Sequence, residues 1–298
     1  MHLINSTMTT TNITFNERLA AYAQLTRLNK PIGILLLLWP TLWGLWLAAD
    51  GIPDPMILVI FILGTILMRS AGCAMNDFAD RRIDPHVSRT RNRPLATGII
   101  SPREALFIAA GLSICAFLLI LPLNWLTIQL SVPALFLAAS YPFTKRFFAM
   151  PQAYLGIAFS FGIPMAFAAQ TGTVPPIAWL LVLANLFWVI AYDTEYALVD
   201  LADDLKIDIK TSAITFGQFN VIAVMLCHLI FLSLLAYAGL LLQRGIWFYG
   251  ALLIVLGLVM IQYRMIRDRD PALCFQAFLH NNRVGAVIFV GILLDTLA

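Results

Sequence analysis

Charged residues are scarce in this sequence, which argues against an ordinary soluble domain. Asp, Glu, Lys and Arg make up 12% of the 298 residues, whereas soluble domains carry roughly 25%. Hydrophobic residues make up 60%, and apolar runs of about 20 residues recur along the chain, as in bilayer-spanning helices. The runs lack the apolar/polar alternation of membrane barrel strands. The sequence therefore predicts an all-α integral membrane protein.

Cysteine pairs, a large net charge and a secretory leader are lacking as well. The four cysteines form no CxxC pair and mostly lie in or beside apolar runs, so we expect buried hydrophobic residues rather than disulfides or metal ligands. They are Cys73, Cys115, Cys227 and Cys274. The net charge of +3 is too small to indicate nucleic acid as a partner. The N-terminal residues do not form a secretory signal, so the first span is expected to direct its own insertion.

Nine apolar runs have the length of membrane spans, and the sequence predicts nine transmembrane helices. The predicted spans are 32–49, 56–75, 105–121, 125–141, 153–169, 177–192, 220–242, 246–263 and 284–297. Several are short, which fits packed and kinked helices better than isolated anchors. Pro133 and Pro164 lie inside two of the runs and are expected to kink them.

The basic residues predict the orientation of the chain, because short cytoplasmic loops collect Lys and Arg. With nine spans, the N-terminal segment (about residues 1–30) and every second loop lie on one side, and 17 of the 19 Lys and Arg residues fall there. Arg244 falls on the opposite side, and Arg69 lies within a span. The N-terminus is therefore predicted to be cytoplasmic. Of the 16 acidic residues, 13 lie on or near the same side, the others being Asp50, Asp54 and Asp295.

Three aspartates follow the second span within residues 76–85. In a helix, Asp77, Asp80 and Asp84 occupy positions i, i+3 and i+7, so their carboxylates share one face. Three like charges so close repel, and some would protonate without compensation. A divalent cation provides it, and Mg²⁺ prefers oxygen ligands completed by water and substrate phosphates. The segment starts at Asn76, and Pro85 is expected to help end the helix.

A second acidic segment follows the sixth span. Asp193, Asp200 and Asp204 occupy positions i, i+7 and i+11, again one helical face, whereas Asp203 and Asp208 are near but are not needed on that face. A solvated helix end with scattered acids explains either segment taken alone. Two such segments at the ends of two spans on one side favour a functional site.

The two acidic segments are related in position. Their spans are four helices apart, and each is followed by a basic stretch, 89–94 and 206–210. This weak internal repeat predicts two quasi-repeated four-helix units that face a shared central cavity, with the ninth helix added. Two facing clusters of aspartates suit a diphosphate bridged by two Mg²⁺ ions.

A diphosphate also needs positive partners. Arg89 and Arg93 lie in the loop after the first acidic segment, and Tyr141 and Lys145 lie at the end of the fourth span. Arg and Lys bind phosphate through charge-assisted hydrogen bonds. The alternative for any single Arg is a topology determinant or a contact with lipid headgroups.

Arg69 lies seven residues before Asn76, on the same helical side and about two turns deeper in the membrane. An Arg at that depth is costly unless it is paired or faces a wet cavity. Two interpretations remain open: Arg69 binds a carboxylate on an acceptor, or it forms an internal salt bridge with one of the aspartates.

On these residues the whole chain resembles the UbiA superfamily of membrane prenyltransferases. The family motif NDxxDxxxD is carried by Asn76, Asp77, Asp80 and Asp84, and the motif DxxxD by Asp200 and Asp204. Segments 27–33, 38–43 and 192–197 look most like the members that act on 4-hydroxybenzoate in ubiquinone biosynthesis. The resemblance implies a single domain of nine helices around a central cavity, capped on the cytoplasmic side of the inner membrane and open laterally to membrane lipid for a long prenyl tail.

The resemblance also implies roles for individual residues. Mg²⁺ is expected as cofactor, held through the diphosphate by Asp77, Asp80, Asp84, Asp200 and Asp204, with Asp193 joining them in catalysis. The diphosphate is expected to contact Arg89, Arg93, Tyr141 and Lys145, and the acceptor to contact Arg27, Arg69 and Asn76. The implied reaction transfers a polyprenyl group from polyprenyl diphosphate to the ring carbon ortho to the hydroxyl of 4-hydroxybenzoate.

Other functions fit the sequence less well. The closest alternative is a related enzyme with another acceptor, a naphthoate or a haem, because the motifs define the donor site rather than the acceptor pocket. An ion-coupled transporter is disfavoured because the acids lie at one membrane face and not at the middle of a span. A membrane scaffold does not explain the matched acidic segments. No obligate protein partner is evident, and neither prenyl chain length nor oligomeric state follows from the sequence.

Overall fold

The computed structural model describes residues 14–207 and 209–298, and the regular elements of this part are helices. The first half holds α1 (Phe15–Leu25), α2 (Ile32–Ala49), α3 (Pro55–Asp80), α4 (Pro102–Ile120), α5 (Trp125–Thr144) and α6 (Pro151–Ser160). The second half holds α7 (Gly162–Thr171), α8 (Pro176–Asp204), α9 (Ser212–Phe216), α10 (Asn220–Leu241), α11 (Ile246–Ile266) and α12 (Pro271–Leu297). Asp208 lies outside the described residues.

The prediction of nine membrane spans is confirmed. Within the described residues, nine helical segments are long and apolar enough to cross a bilayer, with α6 and α7 together forming the fifth and α9 and α10 the seventh. Several helices are longer than predicted; among them, α3 and α8 continue past the apolar run to Asp80 and Asp204, and α12 begins at Pro271. Their polar ends turn toward the interior of the bundle, where hydropathy is a poor guide to helix length.

The helix starts follow from local sequence. Proline occupies the first helical position of five spanning segments, where its missing N–H is not needed and its fixed φ suits the helix. These prolines are Pro55, Pro102, Pro151, Pro176 and Pro271. Asp54, Asn124 and Asp270 accept hydrogen bonds from backbone N–H groups of the first turn, and Ser101 forms a capping box with Glu104.

The fifth span is broken as its proline predicts. Pro164 has no N–H to donate to the carbonyl of Ser160, and the helix is interrupted at Phe161, between α6 and α7. Helix α5, in contrast, continues past Pro133 without interruption, and the kink expected there stays a prediction. The break lies beside a cavity that Phe159 and Phe161 help to line.

An aromatic core holds the centre of the bundle. The rings of Trp188 and Phe231 stack with centroids 5.5 Å apart, and Trp43 lies 5.3 Å from Trp188. These side chains join α2, α8 and α10 and are at most 2% exposed. Such packing fixes the helices against one another, so the polar ends of α3 and α8 are carried on a rigid frame.

Contacts at the far end of the bundle agree with the predicted topology. Arg244 forms an ion pair of 2.6 Å with Asp50, and the backbone N–H of Gly245 donates to Asp295 at 2.8 Å. The residues that were predicted to lie opposite the acidic segments therefore meet at one end.

The cysteines are free, as expected, but Cys115 is exposed on the outer face of α4 rather than buried, since that face is apolar surface suited to lipid.

Candidate active site

The first acidic segment is not one continuous helix. Helix α3 carries Asp77 and Asp80 but ends at Asp80, and a short 3₁₀ turn (Asp84–His86) carries Asp84. The turn begins as the N–H of Ile83 donates to the carbonyl of Asp80 at 2.7 Å, before Pro85 prevents further α-helix. The three aspartates are at most 4% exposed, so the turn brings Asp84 back toward the helix end.

The second acidic segment is helical throughout. Helix α8 continues to Asp204, and Asp193, Asp200 and Asp204 line one cavity together with the first segment. That cavity has a volume of about 600 Å³. All the residues assigned to the site from sequence line it: Arg27, Arg69, Asn76, Asp77, Asp80, Asp84, Arg89, Arg93, Tyr141, Lys145, Asp193, Asp200 and Asp204. Asp203 points elsewhere and accepts from the N–H of Ser88 at 3.1 Å.

Basic side chains neutralise the carboxylates of the first segment. Asp77 pairs with Arg27 at 2.7 Å and with Arg93 at 2.9 Å, and Arg93 also reaches Asp84 at 3.0 Å. Lys145, at the end of α5, pairs with Asp80. One arginine thus bridges the helix end and the 3₁₀ turn, which holds the segment in shape despite its like charges.

Arg89 connects the loop after the first segment to α8. Its guanidinium pairs with Asp200, donates to the hydroxyl of Tyr196, and lies 4.5 Å from the centre of that ring. The two acidic segments are therefore linked by a cation that contacts an aromatic face as well as a carboxylate.

Burial and charge shift the pKa values of the loop residues in opposite ways. Burial raises the pKa of Asp84 above its usual range, against the lowering effect of Arg93, and the nearby charges of Asp80 and Asp77 raise it further. For Arg93, burial lowers the pKa, but the carboxylates of Asp77 and Asp84 outweigh burial and the pKa is raised. The pKa of Arg89 is raised too, burial being outweighed by Tyr196 and Asp200. Both arginines stay charged.

Arg69 forms no salt bridge with any carboxylate in the described part of the chain, so the structure does not support the internal-salt-bridge interpretation. Its Nε is buried without a hydrogen-bond partner, and its guanidinium lies 5.7 Å from the centre of the Phe159 ring. Arg69 lines the polar cavity and also a second, apolar cavity. Because no carboxylate of the described residues lies within ion-pair distance of its guanidinium, Arg69 is available to pair with the anion of a ligand.

The second cavity has a volume of about 390 Å³ and lies among α2 to α7. Its walls are apolar on α3, α4 and α5, and it shares Arg69, Tyr141 and Phe159 with the polar cavity. The two cavities thus adjoin at one cation and two aromatic rings. Together they suit a molecule with a charged head and an apolar tail.

Several residues that line the polar cavity were missed from sequence. Tyr196 lies three residues after Asp193 and four before Asp200, so helical spacing was a usable signal. Phe275 and Phe278 lie in a segment that was predicted to be a loop, and the Tyr196 and Phe278 rings are 4.6 Å apart. These aromatic residues could not be placed without the true start of α12.

Glu195 follows the predicted span 177–192, in the part of the chain that continues α8. It lies within α8, is fully buried, accepts from the side chain of Asn281 at 2.7 Å, and is 3.6 Å from His228. Glu195 therefore lies on a face of α8 that packs against neighbouring helices. Because Glu195 does not line either cavity, it is a structural partner of α10 and α12 rather than part of the site.

The described side chains do not form a preformed metal site on their own. Within residues 14–207 and 209–298, no three His, Cys, Asp or Glu side chains are grouped so that they could hold a metal ion. The donor set nevertheless fits a hard cation, because it offers only carboxylate oxygens, and Asp80 Oδ1 is buried without a partner.

Fold and site together define a class of protein: a multi-pass membrane enzyme whose polar cavity, bounded by two acidic segments, adjoins an apolar cavity. Residues 37–283 match the UbiA prenyltransferase family, and the chain belongs to that family.

Relatives and solved structures agree with this assignment. A 4-hydroxybenzoate octaprenyltransferase of Nitrosomonas eutropha is 86% identical over 96% of this chain and 100% of its own length, and one of Nitrosomonas europaea is 85% identical over 96% and 98%. The apo structure of a UbiA homolog from Aeropyrum pernix has a TM-score of 0.78 at 24% identity, covering 88% of this chain and 97% of that one. A homolog from Archaeoglobus fulgidus, bound to GPP and Mg²⁺, has a TM-score of 0.70 at 18% identity, covering 93% and 100%.

Proposed function

We propose that this chain transfers a polyprenyl group from polyprenyl diphosphate to 4-hydroxybenzoate, at the carbon ortho to the hydroxyl, and releases diphosphate. The observation that carries the proposal is the junction of the two cavities at Arg69, Tyr141 and Phe159. The polar cavity would hold the diphosphate and the apolar cavity its prenyl chain. The guanidinium of Arg69 lies between the two cavities. The 4-hydroxybenzoate octaprenyltransferases at 86% and 85% identity support the choice of acceptor.

The diphosphate would lie between the two acidic segments. Arg89, Arg93 and Lys145 reach into the cavity from two loops and would bind its oxygens. Mg²⁺ would be held jointly by diphosphate and the carboxylates of Asp77, Asp80, Asp84, Asp200 and Asp204. The metal supplies Lewis-acid stabilisation of the leaving group. The Mg²⁺-bound homolog of Archaeoglobus fulgidus supports this assignment.

The acceptor would bind with its carboxylate on Arg69. The hydroxyl of Tyr141 donates to Asn76 Oδ1 at 3.5 Å, which keeps a polar edge beside that cation. Arg27 has a left-handed backbone conformation with φ of 59°. Its ion pair with Asp77 forms the neighbouring part of the proposed acceptor site. The aromatic ring would then lie between the diphosphate and the apolar cavity.

The reaction would proceed by ionisation and aromatic substitution. The bond between the allylic carbon and the diphosphate oxygen breaks, and the diphosphate leaves with both electrons while Arg89, Arg93 and Lys145 hold its charge. The carbocation lies at the apolar junction, where the rings of Tyr141 and Phe159 stabilise it. The ring carbon ortho to the hydroxyl attacks it and then loses its proton. Asp193 lines the cavity and takes part in no ion pair within the described residues, so its carboxylate is placed to accept that proton.

The protein would act in ubiquinone biosynthesis and lie in the inner membrane. The excess of Lys and Arg at the end that carries the acidic segments supports a cytoplasmic active site. The far end, with Asp50, Arg244 and Asp295, would face the other side.

Substitution of the aspartates tests the reaction. With purified protein, geranyl diphosphate, 4-hydroxybenzoate and Mg²⁺, we expect Asp77→Ala and Asp200→Ala to lower kcat/KM by about 100-fold or more, since each removes charge that holds the leaving group in place. Asp268→Ala is the control, because Asp268 is exposed and pairs only with Arg267. Near-normal turnover in either active-site variant would rule out the proposed roles.

The acceptor is tested by competition. Equal amounts of 4-hydroxybenzoate, a naphthoate and a haem are offered with one donor, and the products are identified by mass spectrometry. Preferential prenylation of the naphthoate or the haem would favour the alternative members of the family.

A further inference from the structure

We propose that Gly64 of α3 limits the length of prenyl chain that the apolar cavity admits. The inference rests on the proposed function, because it assigns the apolar cavity to the prenyl chain of the donor. It adds a specificity determinant that the motifs do not contain, since Gly64 lines the apolar cavity and not the polar one.

The local packing gives no reason for glycine at this position. A Cβ built at Gly64 meets no atom within 4 Å, and the same holds for Gly72, whereas one at Gly33 would collide with the guanidinium of Arg69. Glycine inside a helix costs about 1 kcal/mol relative to alanine. Neither Gly64 nor Gly72 has a positive φ. The space beside each glycine is therefore cavity, which both residues line.

The walls on α4 and α5 combine small and large side chains. The small ones are Ser113, Ala116, Ser131 and Ala134, and the large ones include Phe117, Ile120 and Leu135. A leucine or phenylalanine at position 64 would project into this space rather than into a packed helix contact. It would fill the passage without removing any contact that holds the bundle together.

Distances along α3 indicate which chains would meet that side chain. The prenyl chain would begin at the reacting carbon, which the proposed mechanism places at the junction beside Arg69, and at 1.5 Å per residue Gly64 lies roughly 7.5 Å from Arg69 along the helix axis. An extended chain advances roughly 1.2 Å per bond, which gives about 5 Å for the single isoprene unit of a dimethylallyl group and about 40 Å for the eight of an octaprenyl group. A dimethylallyl group therefore ends before Gly64, while an octaprenyl chain must pass Gly64.

The test compares two donors in three variants of the purified full-length protein. With dimethylallyl diphosphate we expect Gly64→Leu to retain kcat/KM within about twofold, and with octaprenyl diphosphate to lose at least about tenfold, as for a blocked apolar pocket. Gly72→Leu should lose activity with both donors, since Gly72 lies between Arg69 and Asp77, where the head of either donor would bind. Gly111→Leu is the matched control, because Gly111 is exposed on α4, lines neither cavity, and its Cβ also meets nothing within 4 Å.

The outcomes separate this inference from the proposed function. If Gly64→Leu lowers transfer from both donors equally, or leaves octaprenyl transfer unchanged, Gly64 does not limit chain length. If the unsubstituted protein transfers neither group to 4-hydroxybenzoate, the proposed function itself fails. Retained dimethylallyl transfer in Gly64→Leu also shows that the variant is folded.

Discussion

Arg69 is the residue at which the polar and apolar parts of the site meet. Its Nε has no hydrogen-bond partner, and it pairs with no carboxylate among the described residues, although four aspartates of the same cavity are paired with other cations. A buried cation of this kind is stabilised when a ligand supplies the anion. The carboxylate of 4-hydroxybenzoate has the required charge.

Replacement of Arg69 should weaken acceptor binding selectively. We expect Arg69→Ala to raise the KM for 4-hydroxybenzoate about 10- to 100-fold, because a charge-assisted hydrogen bond contributes about 1.5–3 kcal/mol. The KM for the prenyl diphosphate should change little. Steady-state kinetics with each substrate varied in turn measures both values.

Phenol, which lacks the carboxylate, provides the control acceptor. Wild type and Arg69→Ala should prenylate phenol equally poorly if Arg69 acts on the carboxylate. An equal loss with phenol and with 4-hydroxybenzoate would instead mean that Arg69 supports the shape of the junction.

At the scale of single helices, α8 is held by a buried polar tether. Asn281 of α12 accepts from Trp188 Nε1 at 2.8 Å and donates to Glu195 at 2.7 Å. Trp188 and Glu195 are seven residues apart, which is about two helical turns. The side chain of Asn281 therefore forms hydrogen bonds at two levels of the helix that carries the second acidic segment. His228 of α10 lies against the other oxygen of Glu195. The tether fixes α8 in rotation between its neighbours.

Removal of this tether should lower stability. We expect Asn281→Leu to reduce the stability of the fold by about 2–4 kcal/mol, because it leaves Trp188 and Glu195 buried without a partner. The melting temperature of the purified protein in detergent measures the loss. Asn282→Leu is the neighbouring control: Asn282 is only partly buried and accepts one bond, from Trp39 at 2.8 Å. A smaller loss in Asn281→Leu than in Asn282→Leu would contradict the tether.

For the whole molecule, charge is concentrated at one end of an apolar bundle. The carboxylates of Asp77, Asp80, Asp84 and Asp200 are each paired with Arg or Lys. This pairing means that the fold does not depend on a metal to relieve repulsion among the carboxylates. The proposed catalysis, in contrast, would need the metal together with the diphosphate.

Metal removal should therefore separate activity from stability. We expect a chelator to abolish prenyl transfer and added Mg²⁺ to restore it, whereas the melting temperature of the ligand-free protein should change by no more than about 2 °C, since its ion pairs persist. Activity and melting curves are recorded on the same samples. A large drop in melting temperature on chelation would reveal a structural metal site that this charge pairing does not account for.

The sequence by itself determined the class of the chain and the content of its site. Nine apolar runs require nine helices, because a bilayer offers the backbone no other partners. Helical spacing placed Asp193, Asp200 and Asp204 on one face, and the two motifs named residues that line one cavity. These features depend on neighbours along the chain, so local pattern is sufficient to predict them.

Only the tertiary structure decided how those residues meet. The 3₁₀ turn at Asp84, the early start of α12 and the burial of Glu195 arise where polar residues face the interior of the bundle, which hydropathy cannot distinguish from solvent. Two further features depend on the side chains that neighbouring helices contribute: the absence of an ion-pair partner for Arg69 among the described residues and the open space beside Gly64. Contacts between helices distant in sequence are set by packing, and a single sequence does not record them.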